Sequence, residues 1–251
     1  MRKIFFTMAF LALAGVGFKS YGQQEPVKIK YLTTYNWVKM LNACDYLSKE
    51  SKERTAYMWG NRSEWKMYSI LYSSATHSRF EDSEERPDGD DDNYQGRKET
   101  FFMIHNFENQ TYVHVLEMLG KTYLISDSLK MPDWKIKNDL KEVSGHVCMN
   151  AALKDTLRGQ KIVAWFALDM PLQAGPDRFY GLPGMILEVD INNGAEVITA
   201  EKIEKVSLTN EFELPKKLKA KKISGTEYAA ILKKFYDDKR KAEEFPWGVR
   251  Y

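Results

Sequence analysis

Apolar and polar residues alternate from Val27, with Val27, Ile29 and Tyr31 set against Lys28 and Lys30, which predicts a strand. The period then lengthens. Trp37, Met40, Leu41, Cys44 and Leu47 recur at three- and four-residue steps, the mark of an amphipathic helix, with Asn36 placed to cap it. The polar run 48–54 either continues that helix or ends it. From Trp65 the period returns to two, and residues 65–72 read as a half-buried strand. Residues 81–96 are acidic and rich in Gly and Pro, a loop. Strands are expected at 99–106, 110–118 and 121–126, with turns at 107–109 and Gly120. Residues 134–142, 146–153 and 160–168 continue the series, the last two turning near Arg158-Gly159. After a loop at 169–184, residues 185–191 and 195–206 flank Asn192-Asn193-Gly194, a hairpin signal. Tyr228, Ile231, Leu232 and Phe235 step at helical spacing, with Thr226 as the expected cap.

Many strands, short turns and a helix near each end predict a mainly β fold (β-rich α+β). The expected form is a single large curved antiparallel sheet, open or a half-barrel, since a sheet of that size must curl to bury one face. Trp65, Trp134, Trp165 and Phe179 are expected in the core or on a sheet face. In a half-barrel some of them would line an apolar cavity.

The first residues change the charge picture. Arg2 and Lys3, the apolar run 4–18, and Ser20 and Gly22 predict a secretory signal peptide over residues 1–22, cut before Gln23. The apolar run is shorter than a spanning helix requires. No cysteine sits near the cut to carry a lipid anchor, and no later segment is apolar enough to span. The expectation is a periplasmic or secreted protein with residues 23–251 as one domain. Without Arg2, Lys3 and Lys19 the chain carries 34 basic and 35 acidic residues, a net charge of −1. Nucleic acid is not an expected partner.

Gly181-Leu182-Pro183-Gly184-Met185-Ile186 reads as a tight turn that runs directly into a strand. Proline suits the second position of a type II turn, and Gly184 is expected to supply the positive φ of the third. The segment resembles the signature of the GLPGLI family of Bacteroidetes envelope proteins, with Met185 in place of the second leucine. The resemblance extends over about 60 residues. Trp134, Ile136 and Lys141, then Gly145, Cys148 and Ala151, then Ala164-Trp165-Phe166, then Gly175, Pro176 and Phe179 fall in the family's order. The chain departs from it at His146, where tyrosine is usual, and at Asn150, where lysine is usual. The family has no established enzymatic activity, so the resemblance implies a place and a fold more than a mechanism.

Other candidates for chemistry are sparse. Cys44 and Cys148 could bridge in an oxidising compartment or remain two separate buried thiols. His146 and Cys148 lie two apart and so face one way on a strand. With His105 or His114 from a neighbouring strand they are weak candidates for a zinc or copper site, or for a thiol–imidazole pair. Asp88, Asp90, Asp92 and Glu99 occupy positions 1, 3, 5 and 12 of a calcium loop, but position 6 is Asn93 and no helices frame it. The basic run 216–222 suits a solvated loop or an edge strand blunted by lysines. No G-x-S-x-G, H-E-x-x-H or phosphate loop is present. The expectation is therefore a non-enzymatic protein with no cofactor, binding an envelope protein or an apolar small molecule. The alternatives are a metal- or thiol-dependent protein built on His146 and Cys148, and a calcium module.

Overall fold

The computed structural model describes residues 25–59, 63–87 and 100–251. The expected signal peptide (1–22) and the acidic positions Asp88, Asp90, Asp92 and Glu99 lie outside the described residues. In chain order the elements are β1 (Val27–Asn36), α1 (Trp37–Ala43), α2 (Lys49–Trp59), β2 (Glu64–Ser73), β3 (His77–Asp82), β4 (Phe102–Asn106), β5 (Thr111–Met118) and β6 (Lys121–Ser128). There follow β7 (Lys135–Val143), β8 (His146–Asp155), β9 (Gln160–Ala167), β10 (Met185–Ile191), β11 (Glu196–Lys205), β12 (Lys221–Ser224) and α3 (Gly225–Lys241). All the strands join in one 12-stranded sheet of order β12-β6-β5-β4-β3-β2-β1-β11-β10-β9-β8-β7. Its two end strands do not pair with each other, so the sheet is open.

Every neighbouring pair is antiparallel except β12, which lies parallel to β6. The sheet is therefore mixed, not purely antiparallel. The long connection 206–220 frees β12 from hairpin geometry, and it docks on the edge in the direction that feeds α3. Its Lys221 and Lys222 are exposed, so the basic run ends as a short, lysine-blunted edge strand.

The period-two pattern of β1 translates directly into burial: Val27, Ile29, Tyr31, Thr33 and Tyr35 are buried and the residues between them are half-exposed. The same face continues across the sheet. Tyr31 stands opposite Ala200 and Ser69, and Ile29 opposite Ile203 and Leu71. Onto this face pack Leu232 and Tyr236 of α3 and Phe179 and Leu182 of the loop between β9 and β10. The opposite face is also covered over β4–β6, where Phe102, Ile104 and Val115 are buried with Leu218 from the 206–220 connection. Both faces of the sheet are thus covered in part by the chain's own elements.

Two local expectations are corrected by the structure, and one strand that the sequence did not announce is added. β3 follows a turn at Ser74-Ala75-Thr76 that has no Gly or Pro. The turn is held instead by the Ser74 hydroxyl, which accepts from Thr76 N and His77 N. The run 48–54 opens a second helix, since Cys44 is extended and ends α1. The cap of α3 is Ser224, not Thr226. Its Oγ accepts from Glu227 N while the Glu227 carboxylate accepts from Ser224 N, a complete capping box. Ser224→Ala should therefore cost about 1 kcal/mol, read as a lower urea midpoint with an unchanged slope.

Cys44 and Cys148 are free thiols in separate clusters, so the bridge considered from sequence is not present. Cys44 packs beside Met40 and Leu41, whereas Cys148 belongs to the main core. Among the described residues no helix is long and apolar enough to cross a membrane.

Candidate functional site

The connection from β9 to β10 is built by close backbone approach. Gly181 N donates to Gln173 O (2.8 Å), Ile186 N to Ala174 O (3.0 Å) and Met185 N to Met170 O (2.8 Å). Leu182, Met185 and Ile186 are buried, as a turn firing into a core strand requires. Gly184 does not take a positive φ, contrary to the type II expectation; the positive φ falls on Gly181 at +87°. Glycine is needed at 184 for space: a Cβ there would lie 2.1 Å from the Ala167 carbonyl oxygen. Gly175 is constrained in the same way, with a Cβ position 2.7 Å from both Ile186 Cβ and Phe179 O. Pro176 accepts from Phe179 N through its carbonyl (3.1 Å), closing the turn that presents Arg178 and Phe179.

Arg178 is fixed from two sides. Its Nη1 donates to Asp177 (2.6 Å) and its Nη2 to Gln160 Oε1 (2.6 Å). Phe179 is buried beneath it and the guanidinium lies 4.7 Å from the ring centroid. Trp134 Nε1 donates to Tyr180 O (2.8 Å) and Tyr180 Oη to Lys130 O (2.7 Å), tying the loop to the segment before β7.

Beside this loop runs a groove of ≈ 330 Å³. It is lined by Pro132, by Leu153 to Leu157 at the β8–β9 turn, and by Ile162, Arg178 and Phe179. That volume is at the lower end of ligand-sized sites, and the lining mixes five apolar residues with Lys154, Asp155, Thr156 and Arg178.

Arg178 also borders a smaller internal cavity of ≈ 40 Å³, with Arg158, Arg250 and Asp177. This is the centre of a charged network that the sequence did not reveal. Arg250 Nη1 donates to both carboxylate oxygens of Asp82 (2.8 and 3.0 Å), and the guanidinium stacks on Phe101 at 3.7 Å. Arg158 pairs with Asp155 (2.9 Å). Each guanidinium has a carboxylate, and Glu117 adds a further acidic side chain to the lining. Glu196, on β11 opposite Tyr35, is buried, and its Oε2 has no partner among the described residues. Burial, reinforced by Asp177, pushes its carboxyl up to about 7, against the opposing pull of Arg178 and Arg250.

The histidine and cysteine candidates separate. His146 Nδ1 meets Asp169 at 2.7 Å, while Cys148 Sγ donates to the His146 carbonyl. Burial pushes the Cys148 thiol up to about 11, away from the thiolate that nucleophilic chemistry uses. His105 and His114 meet each other, Nε2 to Nε2 at 2.9 Å, and not His146. Burial lowers His105 to about 4 and holds His114 well below its ordinary value, so the pair is neutral with one ring donating to the other. Among the described residues no group of three or more His, Cys, Asp and Glu side chains is placed to hold a metal ion.

The other predicted motif residues are structural in their surroundings. Ser144 (φ +49°) and Gly145 (φ +82°) make the two-residue β7–β8 turn, Ala151 is buried, and Trp165 is half-buried with Lys141 Nζ 5.2 Å from its ring. Lys141 also pairs with Glu188.

This arrangement is an open, β-rich sheet protein whose family-like segment builds a surface groove. Residues 153–188 match a family described as a protein of unknown function (Porph_ging). Apart from Pro132, every residue of the groove lies in that segment. No curated protein matches the chain. Among solved structures, PNGF-II in the C2 space group is 13% identical, with a TM-score of 0.54 over 83% of this chain and 32% of that one. PNGF-II in the P21 space group gives 13% identity and a TM-score of 0.56 over 83% and 33%. The chain therefore spans about a third of the PNGF-II chains it matches, and the likeness shows the fold alone. An uncharacterized conserved protein from Thermus thermophilus aligns at 8% identity over 80% of this chain and 91% of that one, with a TM-score of 0.40.

Proposed function

We propose that this is a non-enzymatic binding protein of the cell envelope, of the GLPGLI type, that captures a partner through the groove between the 168–184 loop and the β8–β9 turn. The observation that carries this is the groove itself: a ≈ 330 Å³ site with a mixed apolar and polar lining, walled by a loop held through repeated backbone hydrogen bonds. A preorganised wall reduces the ordering cost of binding. The supports for binding without turnover are physical. Burial keeps the Cys148 thiol protonated, and the half-buried arginines are each matched by a carboxylate. The expected signal peptide supports a location in the periplasm or outside the cell.

The sharpest rival is chemistry at His146 and Cys148. Replacing both, as His146→Gln with Cys148→Ser, should leave capture of the native partner from the envelope unchanged if the protein stays folded. Loss of capture or of any associated activity in a variant of normal stability would move the function to those two side chains. Leu157→Asp should do the reverse, abolishing capture in a protein that still folds with a somewhat lower unfolding midpoint, because it puts a charge into the groove lining where Leu157 packs against the core.

A further inference from the structure

The groove lies against an unfinished strand edge. The β7–β8 ladder begins at Lys135 opposite Ala152, so Leu153, Lys154 and Asp155 extend beyond it. The chain that leads into β7 does not cover them. It turns aside, with Trp134 N donating to Pro132 O (2.9 Å) and the Trp134 ring tied to Tyr180 O. The space between the diverging chain and the β8 edge is the groove.

The backbone direction at that edge follows from the next strand. Both main-chain groups of Lys161 are taken by Asn192, N–H to Oδ1 and C=O from N, each at 2.8 Å. Lys154 and Lys161 are thus a non-hydrogen-bonded pair of the antiparallel ladder. The N–H and C=O of Lys154 consequently point away from β9, into the open side. Residues 132–134 make no backbone hydrogen bond to them.

The side chains on the two faces of this edge differ in kind. On the groove face lie Leu153, Leu157, Ile162 and Phe179, with Asp155, which pairs with Arg158, and Arg178 beside them. On the other, Lys154 stands directly opposite Lys161, and Lys135 stands opposite Ala152, two residues along the same face. All three lysines are exposed and none has an ion pair among the described residues. Like charges directly opposite in a ladder repel, so this face is complementary to a negatively charged ligand.

From this edge, its groove and its lysines we infer that the protein binds an extended peptide segment of a partner in which apolar and acidic residues alternate. The segment adds as a short strand beside Lys154, pairing with its free N–H and C=O. Its period of two sends apolar side chains into the groove and carboxylates toward Lys135, Lys154 and Lys161. This rests on the binding function proposed above and specifies the partner's chemistry.

The test uses the ¹⁵N-labelled full chain and three probes: a short synthetic peptide alternating leucine with aspartate, its leucine–lysine counterpart, and decanoate. The acidic peptide should shift the amides of 153–157 and Phe179 saturably. Its affinity should fall severalfold between about 50 and about 500 mM salt. Lys154→Glu with Lys161→Glu should weaken it roughly tenfold at unchanged fold. If decanoate binds the groove and the acidic peptide does not, the strand-addition inference fails while a binding groove remains. Equal binding of the lysine peptide also overturns the inference. If no probe perturbs the groove, both the inference and the function it rests on fall.

Discussion

Gly184→Ala is expected to lower the unfolding midpoint by roughly 5–10 °C, the change that about 2–3 kcal/mol makes in a domain of this size. The added Cβ would sit 2.1 Å from Ala167 O and 2.7 Å from Ala167 C, backbone atoms that cannot rotate away. Ala167 is paired with Met185 in the β9–β10 ladder, and its carbonyl also accepts from Met170 N. Relief of the contact therefore means parting a core strand from its neighbour or opening the loop that walls the groove. Gly184→Val should cost more again. Gly145→Ala is the control: its φ is +82° but no atom lies within 4 Å of the new Cβ, so the cost is the conformational one, about 1 kcal/mol. Equal effects at 145 and 184 would show that close approach is not what selects glycine in the motif.

Glu196→Gln should stabilise the protein at alkaline pH and flatten its pH profile. The folded carboxyl is raised from the ordinary 4.5 to about 7, chiefly by burial. The native state thus holds this proton more tightly than the unfolded chain does. Its contribution is full below about pH 4.5 and is lost as pH rises through about 7, amounting to up to about 3 kcal/mol. The amide removes that loss, so the gain should appear above pH 7 and fade at pH 5. The groups that face Glu196 are Tyr35, Asp177, Arg178 and Arg250. A variant less stable than wild type at pH 8 would mean that the ionised carboxylate is held by those arginines after all.

The strands were legible because one face is buried and the period of two is clean in β1, β9 and β11. The turn into β10 was legible from Leu182-Pro183-Gly184, but for a mistaken reason. A sequence shows that glycine is present, not whether it supplies a φ angle or makes room for a carbonyl 17 residues earlier at Ala167. β3 was hidden because its turn relies on a serine hydroxyl, and β12 because its two lysines face solvent. The charged network was illegible on principle. Asp82, Glu196 and Arg250 each read as surface residues, and only the fold brings Arg250 to Asp82 across 168 positions. Of the groove, Phe179 was singled out from sequence. Leu153, Leu157 and Ile162 were visible only as strand and turn residues, because a groove arises where the β7 ladder stops, and pairing limits are not written in residue type.

The central claim is that the groove beside the 168–184 loop is where this protein holds its partner. The most direct measurement places a photo-crosslinking side chain at Leu157 of the full chain, produced in its own envelope, with a second version at the exposed Leu119 as control. Irradiation should give a discrete adduct at position 157 that is absent at 119, and Lys154→Glu with Lys161→Glu should diminish it. No adduct at 157, or the same adduct at both positions, would contradict the assignment of the groove.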